Sequence, residues 1–137
     1  MNKNFKINKL LHVSVLVSDT PRTLDFYCGF LGMEINPARP DLGFPGAWLL
    51  MGEQEFHVME LANPDPTVGR PSHGGRDRHV AFSIDDVSAL ELKLQQRKIE
   101  YTRSQSGRNA LFFRDPDGNA LEFIENIDLP NRSRYEI

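Results

Sequence analysis

The stretch Arg78-His79-Val80-Ala81-Phe82-Ser83-Ile84-Asp85-Asp86 has an earlier counterpart in Leu11-His12-Val13-Ser14-Val15-Leu16-Val17-Ser18-Asp19. In each stretch a His-Val pair opens an apolar run, an Asp follows seven residues after the His, and a helix-like segment comes next. Internal repetition of this kind is stronger evidence for a fold than local propensity. It predicts one βαβββ unit present twice, with His12 and His79 at corresponding positions.

The remaining patterns supply the other elements of an α+β fold. In the first unit, residues 10–17 alternate like a strand, and Thr20-Pro21 is typical of a helix start. The Gly- and Pro-rich residues 63–77 predict a linker between a first module at 10–62 and a second at 78–126, inside one domain at 8–126. Residues 127–137 form a polar tail. The other predicted strands are 33–36, 47–51, 55–61, 79–84, 99–102, 110–114 and 120–125, with a second helix at 86–97.

Composition narrows the classes of function. The net charge of −3 predicts no broad basic surface for nucleic acid. The single cysteine, Cys28, excludes an intrachain disulfide and fits a reducing compartment, and no run approaches the roughly 20 apolar residues of a membrane span. We read the lysine-rich N-terminus as leading into a strand rather than as a signal peptide, and we expect a cytoplasmic protein without a membrane partner.

Four side chains occupy matched places in the two modules. His12 and His79 open the first strands, whereas His57 and Glu122 lie on the last strands. The interval from His12 to His57 is 45 residues and that from His79 to Glu122 is 43. If the modules pack face to face, these side chains meet. Imidazole nitrogens and a carboxylate oxygen suit a divalent ion such as Zn, Ni, Mn, Co or Fe, with positions left open for water or substrate.

Simpler interpretations stay open for each residue. A histidine on an apolar strand is often a core residue with a hydrogen-bond partner. Glu60 competes with His57 for the position on the last strand, but it lies three residues away, so a regular strand directs it to the opposite face.

Further residues are weaker candidates or have structural interpretations. Trp48, Phe44 and Arg114 are candidates for contacting a substrate, although packing is the more common role of such aromatic residues and solvation the more common role of such an arginine. His73 is expected to be solvated, residues 76–78 to form a charged strand entry, and Cys28 to be a small buried helix residue.

At these residues the sequence resembles the vicinal oxygen chelate superfamily, which includes glyoxalase I, methylmalonyl-CoA epimerase, extradiol dioxygenases, fosfomycin-resistance enzymes and bleomycin-binding proteins. The resemblance covers roughly residues 10–126. It is carried by residues 11–15, 23–27, 30–33 and 78–82, and most specifically by Phe113-Arg114-Asp115-Pro116-Asp117-Gly118-Asn119-Ala120-Leu121-Glu122-Phe123. It implies two βαβββ modules whose sheets curl around a shared cavity holding a divalent metal ion.

The resemblance also implies roles for the matched residues. His12, His79 and Glu122 lie where most metal-dependent members place ligands. His57 falls at the fourth position, where glyoxalase I looks to have a Glu and the epimerase a Gln. Glu122 is then the candidate catalytic carboxylate. The expected function is a metal-dependent, glyoxalase-like lyase or isomerase acting on a small oxygen-rich molecule, in a homodimer. The alternatives are an extradiol-type dioxygenase and a non-catalytic protein that binds a small molecule or antibiotic.

Overall fold

The computed structural model describes residues 4–126, so the predicted polar tail at 127–137 lies outside the described residues. The chain divides into two compact units between Pro64 and Asp65, a point inside the predicted linker. We call them unit 1 and unit 2. None of the helices in the described range is long and apolar enough to cross a membrane.

Unit 1 contains a four-stranded sheet and one helix. The strands are β1 (His12–Val17), β2 (Glu34–Ile35), β3 (Gly46–Met51) and β4 (Gln54–Glu60), and helix α1 spans Thr20–Leu24. The sheet has the order β1-β4-β3-β2, in which β1 and β4 are parallel and the other pairs are antiparallel. Helix α1 has Pro21 in its first turn and continues from Asp25 to Phe30 as a π-helix.

Unit 2 repeats this topology. Its elements are β5 (His79–Ile84), α2 (Val87–Gln96), β6 (Thr102–Arg103), β7 (Ala110–Arg114) and β8 (Ala120–Glu125). The sheet has the order β5-β8-β7-β6, again with β5 and β8 parallel and the other pairs antiparallel. The Asp86 side chain accepts a hydrogen bond from the Ala89 N–H and so caps helix α2. The prediction of an α+β fold with two βαβββ modules is confirmed.

Each sheet buries one face beneath its own helix. In unit 1 the Tyr27 ring meets the Phe56 ring edge-on at 5.0 Å, and both side chains are fully buried. In unit 2 the stripe Val87, Leu90 and Leu94 is buried, which contributes about 1.5–3 kcal/mol for each large side chain. Successive strand residues point to opposite faces, so the alternate residues of β4 and β8 are left for the other face of each sheet.

Two local features differ from the predictions. The last turn of α2 closes with Lys98 at a φ of 56° and with the Ile99 N–H donating to the Leu94 carbonyl. This closure uses Ile99, which was predicted as strand, and β6 begins at Thr102 instead of residue 99. A short 3-10 helix, Gly74–Arg76, was not predicted within the linker.

Candidate functional site

The strand registers show which residues are equivalent in the two units. On β4, His57 pairs with Ser14, two residues after His12. On β8, Glu122 pairs with Ala81, two residues after His79. His57 and Glu122 therefore occupy the same position in the repeat, as the two intervals predicted.

Glu60, the alternative to His57 as the candidate ligand on β4, is hydrogen-bonded to helix α1 instead. Its carboxylate accepts a hydrogen bond from the Thr20 N–H at 2.8 Å, at the start of α1, on the helix-covered face of the sheet. Glu125 does the same for the Val87 N–H at 3.2 Å in unit 2. These two glutamates are repeat-equivalent helix caps, which separates Glu60 from the face that carries His57.

In unit 2 the geometry of His79 and Glu122 suits a cation. The Nδ1 atom of His79 lies 2.9 Å from the Asp77 carbonyl, which can only accept, so Nδ1 carries the proton. Nε2 then faces the Glu122 carboxylate, with 3.4 Å between Nε2 and Oε1. That separation exceeds the 2.7–2.9 Å or so of a charge-assisted hydrogen bond.

Glu122 is only 3% exposed, and its Oε2 atom is buried without a hydrogen-bond partner among residues 4–126. A buried carboxylate of this kind is costly unless a positive charge compensates it. Two donors held about 2.1 Å from one tetrahedral ion lie about 3.4 Å apart, which is the separation found here. A backbone carbonyl that fixes the other ring nitrogen is also the usual support of a metal-ligating histidine. The pair therefore fits a divalent metal ion.

In unit 1 the two candidate histidines stack on each other. The His12 and His57 rings lie 4.1 Å apart at 17°, and Trp48 covers the other face of His57 at 4.7 Å and 10°. Imidazole binds a metal through a lone pair in the plane of the ring. Two face-to-face rings do not direct lone pairs to one point, so in these conformations at most one of His12 and His57 can bind a given ion.

Glu55 is a neighbour of His57 that the sequence interpretation missed. Its Oε1 lies 2.8 Å from Nε2 of His57, and Oε2 accepts from the Asn36 amide at 2.7 Å. These hydrogen bonds lower the pKa of Glu55, so the carboxylate is ionised at neutral pH and Nε2 of His57 must donate. Nδ1 is then the ring atom of His57 left to bind a metal or take a proton. Spacing could have found Glu55, because residues two apart on a strand share a face.

The three candidate substrate contacts have other partners in the structure. Trp48 stacks on His57, as described, and the Phe44 ring lies 5.2 Å from the guanidinium carbon of Arg39. Arg114 donates to Asp77 at 2.8 Å, to the Gly118 carbonyl at 2.7 Å and to a linker carbonyl. Substrate contact by these residues stays a prediction.

Asp77 is the centre of a charged network and not merely part of a strand entry. Its side chain is 6% exposed and accepts two hydrogen bonds from Arg70, one from Arg114 and one from the Arg78 N–H. The Arg70 hydrogen bonds, with help from Arg114, hold the pKa of Asp77 well below its usual range. Because the Asp77 carbonyl also fixes His79, this network positions one member of the candidate pair.

His73, expected to be solvated, is partly enclosed. Its Nδ1 lies 2.6 Å from the Thr102 hydroxyl, and its ring meets Phe112 edge-on at 4.9 Å. Phe112 also meets the His79 ring, at 5.2 Å, and pairs in register with Glu122. The prediction for His73 was wrong because solvation was inferred from the Gly- and Pro-rich context, whereas the 3-10 helix folds that segment onto the sheet.

Each unit thus offers a pair of candidate ligands. Across residues 4–126, no three His, Cys, Asp or Glu side chains converge as a metal-binding group. Of the two pairs, His79 and Glu122 have the geometry that best suits binding of a divalent metal ion. Ligation by His12 or His57 stays a prediction.

Comparisons with known proteins agree with this fold. Residues 9–123 match the Glyoxalase/Bleomycin resistance protein/Dioxygenase superfamily. The chain is 32% identical to Glyoxylase I 4 of Arabidopsis thaliana, over 90% of this chain and 74% of that protein. It is 31% identical to a lactoylglutathione lyase of Escherichia coli O157:H7, over 88% and 94%. A glyoxalase family protein of Bacillus anthracis matches in structure with a TM-score of 0.73 and 26% identity, over 90% and 99%.

Proposed function

Because the chain belongs to the Glyoxalase/Bleomycin resistance protein/Dioxygenase superfamily, we propose that it is a metal-dependent enzyme of the lyase or isomerase type. Its substrate on this proposal is a small molecule with neighbouring oxygen atoms. The similar lactoylglutathione lyase supports this class of reaction over ring cleavage.

One observation carries the proposal. Nε2 of His79 faces a buried Glu122 carboxylate at 3.4 Å, while Nδ1 is hydrogen-bonded to a carbonyl. In the part of the chain that the structure describes, Oε2 of Glu122 has no hydrogen-bond partner. A purely structural pair would be expected to close to hydrogen-bond distance. A divalent ion satisfies both groups, and it would polarise a carbonyl oxygen of a substrate and stabilise the anion formed next to it.

The chain's own residues have distinct roles in this proposal. His79 and Glu122 hold the ion, and the Asp77 carbonyl keeps the His79 ring in the correct tautomer. His12 is the third ligand that the family resemblance implies. With His12 as the ligand, His57, oriented by Glu55, presents Nδ1 as a group that would accept a proton from the substrate.

The test is an activity assay on protein stripped of metal and then reloaded with Zn, Ni, Mn, Co or Fe in turn. Formation and breakdown of lactoylglutathione are measured first, and cleavage of a catechol second. We expect lyase activity that appears only with metal and falls by at least about 100-fold in Glu122→Gln, because a neutral amide oxygen is a weaker metal ligand than a carboxylate oxygen and a poor proton acceptor.

Glu34→Gln is the matched control, because Glu34 is exposed on β2 and the change is chemically identical. Its activity should equal that of the wild type. Catechol cleavage with iron alone would replace the proposal by the dioxygenase alternative, and metal-independent binding without turnover of any substrate would replace it by the binding-protein alternative. The metal's identity, the homodimer and the cytoplasmic location stay predictions.

A further inference from the structure

Unit 2 contains a cavity of about 770 Å³ that none of the roles above uses. It is bordered by linker residues 70–72 and 74, by residues 99–102, which lead into β6, and by residues 112–114 at the end of β7. β6 pairs with β7 only through Thr102 and Arg103, so Phe113 and Arg114 continue beyond it. The space lies beside this unpaired end of β7, and its volume is in the range of small-molecule sites.

Two guanidinium groups border the cavity. Arg70 and Arg114 both border it, and the single carboxylate of Asp77 lies between them. Both arginine side chains are partly buried, at 21% and 25% exposure, so solvent screens them only in part. Among the described residues, only Glu100 adds an acidic side chain to the lining, and it is exposed.

Both guanidinium groups keep N–H donors for a ligand. Arg114 donates through Nη1 and Nη2 to protein oxygens, which leaves its Nε–H and one Nη2 hydrogen without an acceptor among the described residues. Arg70 donates once each from Nε, Nη1 and Nη2, so one hydrogen on each Nη also has no acceptor within residues 4–126. A planar guanidinium with spare N–H groups is well suited to a carboxylate.

The rest of the lining is largely apolar. The apolar part of the wall comes from Phe112, Phe113, Ile99 and Pro71. The hydroxyl of Tyr101 is already hydrogen-bonded to Glu91 and Gln95. A ligand that matches this wall has an apolar body and one anionic group.

We propose that this cavity binds a small organic acid, with its carboxylate on Arg70 and Arg114 and its apolar body against Phe112. Phe112 also contacts the ring of His79, so the acid lies one side chain away from the candidate metal pair. That the bound acid is the substrate rests on the proposed function, whereas the binding itself does not.

The test uses metal-free full-length protein and two probes, phenylacetate and its neutral analogue phenylacetamide, titrated into ¹H–¹⁵N correlation spectra. We expect phenylacetate to bind saturably at about 1–10 mM, as suits a ligand of this size. Its shifts should concentrate in residues 70–74, 99–102 and 112–114. Phenylacetamide should bind at least about 5-fold more weakly, because it lacks the charge that the arginines recognise.

Two variants locate the binding without disturbing the arginine network. Ser72→Trp places a large ring in the cavity from an exposed residue and should weaken phenylacetate binding by at least about 10-fold. Glu100→Gln removes the opposing charge and should strengthen it by about 2-fold. The unfolding temperature of each variant shows that unit 2 is intact.

Three outcomes would overturn the proposal. Equal binding of the amide would show that the charge is not recognised, and unchanged binding in Ser72→Trp would show that the acid binds elsewhere. No saturation by about 50 mM would mean an affinity well below that expected for a charged fragment. Because the experiment contains no metal, its failure leaves the metal-dependent activity standing. Loss of that activity would likewise leave the acid site standing.

Discussion

Replacement of Asp77 by Asn should destabilise the protein, because it leaves the positive charges of Arg70 and Arg114 without the carboxylate that pairs with them. The carboxylate is 6% exposed and neutralises the partly buried Arg70 and Arg114. Breaking a buried ion pair costs about 3–5 kcal/mol, and the partial exposure of both guanidinium groups reduces this to about 2–4 kcal/mol. At about 3–5 °C per kcal/mol, the unfolding temperature should fall by about 6–20 °C.

Urea unfolding at pH 7 measures the loss, with Asp65→Asn as the control. Asp65 pairs with Arg78 on the surface, where the side chains are 44% and 64% exposed, so its loss should cost less than about 0.5 kcal/mol. Because the Arg70 and Arg114 hydrogen bonds lower the pKa of Asp77, its contribution is complete above about pH 4 and is lost as the pH falls below that value. The difference in the free energy of unfolding between wild type and Asp77→Asn should therefore become smaller at acidic pH. Equal losses in the two variants would refute the reasoning.

Three further changes probe the fold. In Gly46→Ala the new Cβ would lie 2.3 Å from a carbonyl oxygen of β4 and should cost about 2–3 kcal/mol in urea unfolding, whereas Gly29→Ala meets nothing within 4 Å and should be neutral or stabilising. Glu60→Ala should cost about 1 kcal/mol because the Thr20 N–H loses its acceptor, and Glu60→Gln should restore most of it; equal losses would argue against capping. Burial raises the pKa of Cys28, so iodoacetamide should modify it slowly at pH 7.5 and faster as the pH rises; equal rates in folded and urea-unfolded protein would contradict this.

The repeat made most of the fold predictable from the sequence. Two copies of the His-Val motif define the first strand of each unit, and the parallel register then places His57 and Glu122 opposite equivalent residues. This agreement arises because the strand period and the repeat constrain the same positions independently. Glu60 was correctly assigned to the opposite face by the same period.

The details that were not predicted depend on contacts between residues distant in sequence or on single backbone angles. Asp77 was interpreted as part of a charged strand entry because its partners, Arg70 and Arg114, are 7 and 37 residues away. The bond between His73 and Thr102 crosses 29 residues. The late start of β6 follows from the left-handed conformation of Lys98, which propensity does not favour for lysine.

The central claim is that Glu122 faces His79 in order to hold a metal ion, and thermal unfolding of Glu122→Gln tests it most directly. In metal-free protein, neutralising a buried carboxylate with an unpartnered oxygen should leave the stability unchanged or raise it by about 1–2 kcal/mol. Added metal should raise the unfolding temperature of the wild type and not that of the variant. If the metal-free variant is instead clearly less stable, and metal stabilises neither protein, then His79 and Glu122 form a structural ion pair and the account is contradicted.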